Sequence, residues 1–207
     1  VGIKVNKKNK REEILEAVFR LFAQEGYALS IKEIAALVGL KPASIYSHFE
    51  SKEQIVLLTV EREVDHFYSL LEEIAEKSQT QSSRDLLEQL FFFTVNYFSE
   101  MQRMQFWQHL LAMPDEDVQM RCRQFLKNQE NRIGPKLSAM GQHGVATGEI
   151  RAIAAPHLRL LFNNVLLGAL ESMLIFGWPP QKAMMKARIV WEHFCAGIFV
   201  DDKTNMK

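Results

Sequence analysis

The chain has 207 residues, 47% of them apolar and 24% charged, which suits a folded globular protein and excludes a disordered one. Its formal net charge is zero, so overall basicity gives no argument for a nucleic-acid partner. The charge is uneven, however. Residues 1–52 hold nine Lys and Arg against six Asp and Glu, and residues 1–11 carry Lys4, Lys7, Lys8, Lys10 and Arg11 with no acid. Such an arm either lies on phosphates or extends into solvent.

Apolar spacing is helical nearly throughout. Ile14, Val18 and Phe22 fall four apart, and Gly26 ends that first helix. Ser30 and Glu33 make a capping box, so a second helix starts near Ile31 and stops at Gly39. Pro42, with a fixed φ and no N–H, suits the first turn of a third helix. Ser51 and Gln54 open a long fourth helix, whose seam of Leu57, Val60, Val64, Phe67, Leu71 and Ile74 faces one way until the run 78–83 breaks it. Further helices are predicted over 84–101, 103–113, 115–143, 155–176 and 181–200. They are punctuated by Pro114, by Gly141, Gly144 and Gly148, and by Pro179-Pro180. No alternating β-branched run predicts a strand, so the fold is expected to be all-α: three short helices, then a larger bundle.

Two distant cysteines, Cys122 and Cys195, make neither a disulfide framework nor a zinc site and are expected as reduced thiols in a cytoplasmic protein. No signal-peptide pattern opens the sequence. The apolar segment 158–176 is interrupted by Arg159, Asn163, Asn164 and Glu171, so it reads as a buried helix and not a membrane span. The six histidines are dispersed, no pair has metal-ligand spacing, and neither a nucleophile elbow nor a glycine-rich phosphate loop is present. An enzyme is therefore not expected, nor a metal or cofactor.

Residues 30–53 carry more information. Two helices crossing steeply need a small residue where they meet, and Ala35 supplies it; the tight turn needs a residue without a Cβ, and Gly39 supplies that. Ile34, Val38, Leu40 and Ile45 fill the core behind. This is the pattern of a helix-turn-helix, whose second helix enters the DNA major groove, although a plain helical hairpin gives the same spacing.

The surrounding residues extend the pattern: Arg11, Ile14-Leu15, Val18, Leu21-Phe22, Gly26-Tyr27, Ser30, Ile34-Ala35, Val38-Gly39-Leu40, Ile45-Tyr46, Phe49 and Ser51-Lys52-Glu53. Residues 11–55 resemble the DNA-binding domain of the TetR family of transcriptional regulators. The resemblance implies a DNA-binding domain over 1–52 and a helical effector-binding and dimerisation domain over 53–207. It implies that Ser30, Tyr46, His48 and Lys52 meet phosphates, and that Ser44 and Ser47 lie on the exposed side of the recognition helix. Members of the family often begin that helix with serine, lysine and glycine. Here the order is Lys41-Pro42-Ala43, so the capping side chain is replaced by proline and Lys41 is displaced by one position. Lys41, Pro42 and Ala43 join the expected DNA-facing set, with Lys41 assigned to neither base nor phosphate.

The resemblance also implies a homodimer formed by the last two helices. The segment 155–176 is apolar on more than one face, which suits packing both within the subunit and against its twin. Leu161, Val165, Gly168, Ala169, Ser172, Ile189 and Phe194 are the expected interface residues. An effector pocket is expected to draw on Phe67, Asn96, Tyr97, Met101, Phe106, Trp107, His109, Phe125 and Asn163, a set suited to a hydrophobic or aromatic ligand. Each can equally be a core or interface residue. The implied function is a repressor released from a double-stranded operator by a small effector. A helical carrier of hydrophobes would explain the bundle and leave residues 30–53 unexplained.

Overall fold

The computed structural model describes residues 7–77 and 82–200. Lys4, in the basic arm, and residues 78–81 of the predicted break lie outside the described residues. Those that are described form helices α1 (Lys7–Glu25), α2 (Ile31–Leu37), α3 (Pro42–Ile45), α4 (Lys52–Lys77), α5 (Ser83–Phe98), α6 (Met101–Leu111), α7 (Glu116–Ala146), α8 (Ala155–Phe176) and α9 (Pro180–Ile198). No strand forms among them beyond one isolated antiparallel bridge between Ile150 and Phe199. The fold is all-α.

The chain divides into two compact units. The first contains the residues up to His66 together with Met101–Gln129. The second contains Phe67–Glu100 and Glu130 onward. Both α4 and α7 contribute to each.

In the first unit α1 packs on α2 and α6. The spacing of Ile14, Val18 and Phe22 is a buried stripe, and the Phe106 ring of α6 lies 5.2 Å from those of Phe19 and Phe22. Arg62 of α4 pairs with Glu16 at 3.3 Å and Glu12 at 3.7 Å, which adds a polar tie to α1. In the second unit α5, α8 and α9 pack together. Phe91 stacks on Trp191 at 5.4 Å and Trp191 on Phe194 at 5.5 Å, so a ladder of rings crosses from α5 to α9. Arg132 and Lys136 of α7 pair with Glu72 of α4, and Lys136 also reaches Glu76 at 3.0 Å.

Two glycines behave differently from expectation. Gly141 and Gly144 do not punctuate; both lie inside α7, which runs on to Ala146, and the turn falls at Gly148. A Cβ on Gly144 would stand 2.5 Å from Ile150 Cδ1 and 2.6 Å from Ser83 Oγ, so glycine is there to let other chain segments approach. The α5 N-terminus is capped partly from afar: the Glu149 carboxylate accepts from the Ser83 and Arg84 amides, each at 2.9 Å. Burial, the largest single influence, raises its pKa, but those two amides together with the Ser83 and Ser82 hydroxyls hold it below the usual carboxylate range.

Cys122 and Cys195 are buried free thiols, and burial pushes both up to about 11, which keeps them protonated and unreactive. The segment read as a buried helix is buried along one face and exposed along another. The stretch Ala155–Phe176 is long and apolar enough to cross a membrane by length and composition, and only 17% of its most apolar window is buried. Its inner residues Leu158, Phe162 and Met173 meet the core, whereas Leu161, Leu167, Ile175 and Phe176 are exposed.

Candidate nucleic-acid interface

The geometry of residues 30–49 follows from local chemistry. Ser30 caps α2 in both directions: its Oγ accepts from the Glu33 amide at 3.3 Å, and its own amide donates to the Glu33 carboxylate at 2.7 Å. The Ser30 hydroxyl donates to that same carboxylate at 2.6 Å, and these bonds hold the Glu33 pKa below its ordinary value. The hydroxyl expected to meet a phosphate is therefore already committed within the box, beside a persistent negative charge.

The end of α2 is a Schellman turn. Gly39 sits at φ +65°, its amide donates to the Ala36 carbonyl at 3.3 Å, and the Leu40 amide reaches back to Ala35 at 2.8 Å. Ala35, Ile34, Ile45 and Phe49 are buried beneath this turn. Lys41 takes the N-cap position of α3 with extended backbone and no capping side chain, and Pro42 starts the helix. The helix is one turn long. Beyond it the Ser47 and His48 amides bond back three residues, to Ser44 at 3.3 Å and Ile45 at 2.9 Å.

This arrangement brings most of the expected DNA-facing residues onto one short segment. Lys41, Pro42, Ala43, Tyr46 and Ser47 are exposed, and Ser44 and His48 are half-buried. Tyr46 is 54% exposed, which leaves its ring and hydroxyl available. Ser47 Oγ donates to the Ser44 carbonyl at 2.7 Å, which stiffens the turn. Lys52 has a partner that sequence reasoning missed: its ammonium donates to the Tyr27 carbonyl at 2.7 Å and lies 4.4 Å from the centre of the Tyr27 ring. The Tyr27 hydroxyl is pushed up to about 12 by burial, Glu53 and Asp115. Only Gly26-Tyr27, which turns a carbonyl outward after α1, hinted at such an acceptor. At the start of α4, Ser51 caps Gln54 at 3.1 Å as expected, but the Gln54 side chain accepts from the Glu50 amide instead of that of Ser51.

The expected pocket residues are divided between the units. Phe67, Tyr97 and their neighbour Phe98 form an aromatic cluster in the second unit, with Phe67 4.9 Å from Tyr97 and 5.2 Å from Phe98. Asn96 and Asn163 belong to the same unit, exposed and half-buried respectively. Phe106 is core in the first unit, Met101 is exposed and Trp107 is half-buried. His109 donates from Nδ1 to the Phe22 carbonyl at 2.8 Å, since a carbonyl can only accept. Phe125 lines an open cleft of about 590 Å³ between the α4 and α7 segments of the first unit, with Glu53, Leu57, Leu58, Glu61 and Arg121.

Of the expected interface residues, Leu161, Gly168 and Ile189 are exposed and Val165 and Ser172 half-buried. Ala169 and Phe194 are buried within the single chain.

A capped helix, a left-handed glycine turn and a second short helix bearing exposed polar side chains define a helix-turn-helix unit, here in a chain continued by a helical bundle. Residues 14–58 match the family described as "Bacterial regulatory proteins, tetR family". It is 31% identical over 80 residues to the uncharacterized HTH-type transcriptional regulator YerO of Bacillus subtilis, a match covering 38% of this chain and 28% of YerO. It is 30% identical over 79 residues to the HTH-type transcriptional repressor AcnR of Corynebacterium diphtheriae, covering 38% of this chain and 40% of AcnR. The matched segments thus span well under half of those relatives. The likeness of fold extends further. The transcriptional regulator FadR of Bacillus subtilis, solved in complex with stearoyl-CoA, superposes with a TM-score of 0.69 at 17% identity, over 90% of this chain and 98% of that one. These proteins are named as regulators, not enzymes.

Proposed function

We propose that this chain is a DNA-binding transcriptional regulator that acts as a homodimer and represses until a small hydrophobic or aromatic effector releases it. The observation that carries the reading is the set of exposed Lys41, Tyr46 and Ser47 with half-buried Ser44 and His48, held on one short segment by the Gly39 turn and the buried Ile45 and Phe49. Such a segment fits one major-groove half-site, and useful affinity needs two of them about 34–36 Å apart. The exposed apolar residues of α8 and α9, among them Leu161, Leu167 and Ile189, supply the matching surface for a second copy. Arg159, Asn163, Asn164 and Glu171 on α8 favour a protein partner over lipid for this surface, and the proposed binding to DNA calls for an intracellular site of action.

The relative named as a repressor supports repression over activation, and the regulator solved with stearoyl-CoA supports an apolar effector. The aromatic cluster around Phe67 is the apolar surface best suited to such a ligand. Release works by population shift. An effector that prefers a conformer with the wrong half-site spacing lowers DNA affinity by its differential binding. The long helix α4, which belongs to both units, is the natural lever. Genomic fragments retained by the purified chain, followed by a screen for compounds that release them, test the reading. Retention of two-fold-symmetric fragments and their release by apolar compounds are expected; a ligand that binds tightly and leaves fragment affinity unchanged contradicts the release mechanism.

A further inference from the structure

Three cations of the first unit that a charge count would assign to DNA are turned onto backbone carbonyls. Lys10 donates to Val38 at 3.3 Å, at the end of α2, and Lys52 donates to Tyr27. Arg11 is the most telling. Its Nη1 donates to the His48 carbonyl at 3.1 Å, and its guanidinium carbon lies 4.6 Å from the centre of the Phe49 ring. The contact spans 37 positions of sequence and joins the start of α1 to the point where the exposed segment ends.

That point needs an external hold. A single helical turn does not stabilise itself, because the cost of nucleation is not recovered over four residues. The entry to the segment is fixed by Pro42 and its middle by buried Ile45. Its exit depends on Phe49 in the core and on a carbonyl that no following helical amide satisfies. A planar guanidinium can donate to that carbonyl along its edge while its face stacks on the adjoining ring; an ammonium, as at Lys52, meets a carbonyl and a ring only as a compact point charge.

We propose that Arg11 is a positioning residue for the DNA-reading segment. By holding the His48 carbonyl and the Phe49 ring it sets the aim of Tyr46, Ser47 and His48, and it does not itself neutralise a phosphate. The proposal rests on the functional reading above.

The test uses full-length Arg11→Gln and Arg11→Lys, a labelled duplex recovered by selection from a random-sequence library, and an unselected duplex of equal length. Affinities are measured across a salt series. Arg11→Gln is expected to weaken the selected duplex about tenfold, the loss of a charge-assisted bond, with little change on the unselected one. The slope of log affinity against log salt should stay as in the wild type, and Arg11→Lys should recover only part of the loss. A phosphate contact behaves otherwise. Both duplexes weaken equally, the slope falls by about one, and lysine restores binding; that result overturns the proposal. So does the absence of any effect. Circular dichroism checks folding. Should Arg11→Gln fail to fold, the lysine variant decides: selective loss on the selected duplex supports the proposal, and uniform or no loss overturns it. A wild-type chain that retains no duplex overturns the functional reading and this assignment together, whereas phosphate-like behaviour in a chain that does bind overturns this assignment alone.

Discussion

The Leu40 amide donates to the Ala35 carbonyl at 2.8 Å, and this bond turns the chain back across the end of α2 and aims α3. It requires Gly39 at φ +65°, where a methyl group would find nothing within 4 Å, so the demand on this residue is purely conformational. Gly39→Ala should therefore destabilise the full chain by about 1–2 kcal/mol, the cost of a left-handed L-residue, and Gly39→Asn by less. Urea unfolding measures both. A Gly39→Ala chain as stable as the wild type would show that the turn relaxes freely.

Tyr46 separates positioning from base reading. If its exposed hydroxyl meets phosphate, Tyr46→Phe weakens selected and unselected duplexes by similar factors. A changed sequence preference, read by repeating the selection with the variant, would place the ring against base edges.

Gly144 makes the opposite demand to Gly39. Its backbone is ordinary helix, but a side chain would collide with Ile150 and Ser83. Gly144→Val should cost about 1–3 kcal/mol by overpacking, seen as a lower melting temperature. A neutral result would mean that Ile150 moves aside.

Glu149 makes the α5 N-terminus sensitive to pH. Its carboxyl titrates below its unfolded value, so its contribution is complete above about pH 4.3 and is lost as pH falls through the lower folded pKa. Glu149→Ala should cost about 1 kcal/mol at neutral pH, as for loss of a cap. The gap from wild type should close under acid. A gap independent of pH would assign the effect to packing.

The proposed dimer is tested through Ile189, which is 45% exposed on α9. Ile189→Glu should leave helicity intact, shift sedimentation from dimer to monomer, and abolish tight binding to a two-site duplex. A wild-type monomer at micromolar concentration would remove the basis for this surface.

Much of the fold is legible along the chain because its determinants are local. The Ser30–Glu33 box, the Gly39 stop, Pro42 and the Ile14–Val18–Phe22 stripe each act within a few residues. What the sequence hides is long-range pairing. Gly144 looks like a helix breaker until Ile150 and Ser83 are seen against it. Lys52 reads as a phosphate contact, and its bond to the Tyr27 carbonyl, 25 positions away, is seen only in the fold. The aromatic residues of α4 to α7 all read alike as pocket or core; only packing separates Phe106, enclosed by Phe19 and Phe22, from Phe67 in the cluster with Tyr97. The exposed face of α8 cannot be told from its buried face by composition, which registers apolarity and not contact.

The central claim is that residues 41–48 place this chain on duplex DNA. Its most direct test is binding of the full-length protein to a selected duplex across a salt series. The account predicts tight binding whose logarithm falls steeply and linearly with log salt, by about 0.9 per phosphate neutralised. Binding that is absent, or that ignores salt, would contradict it.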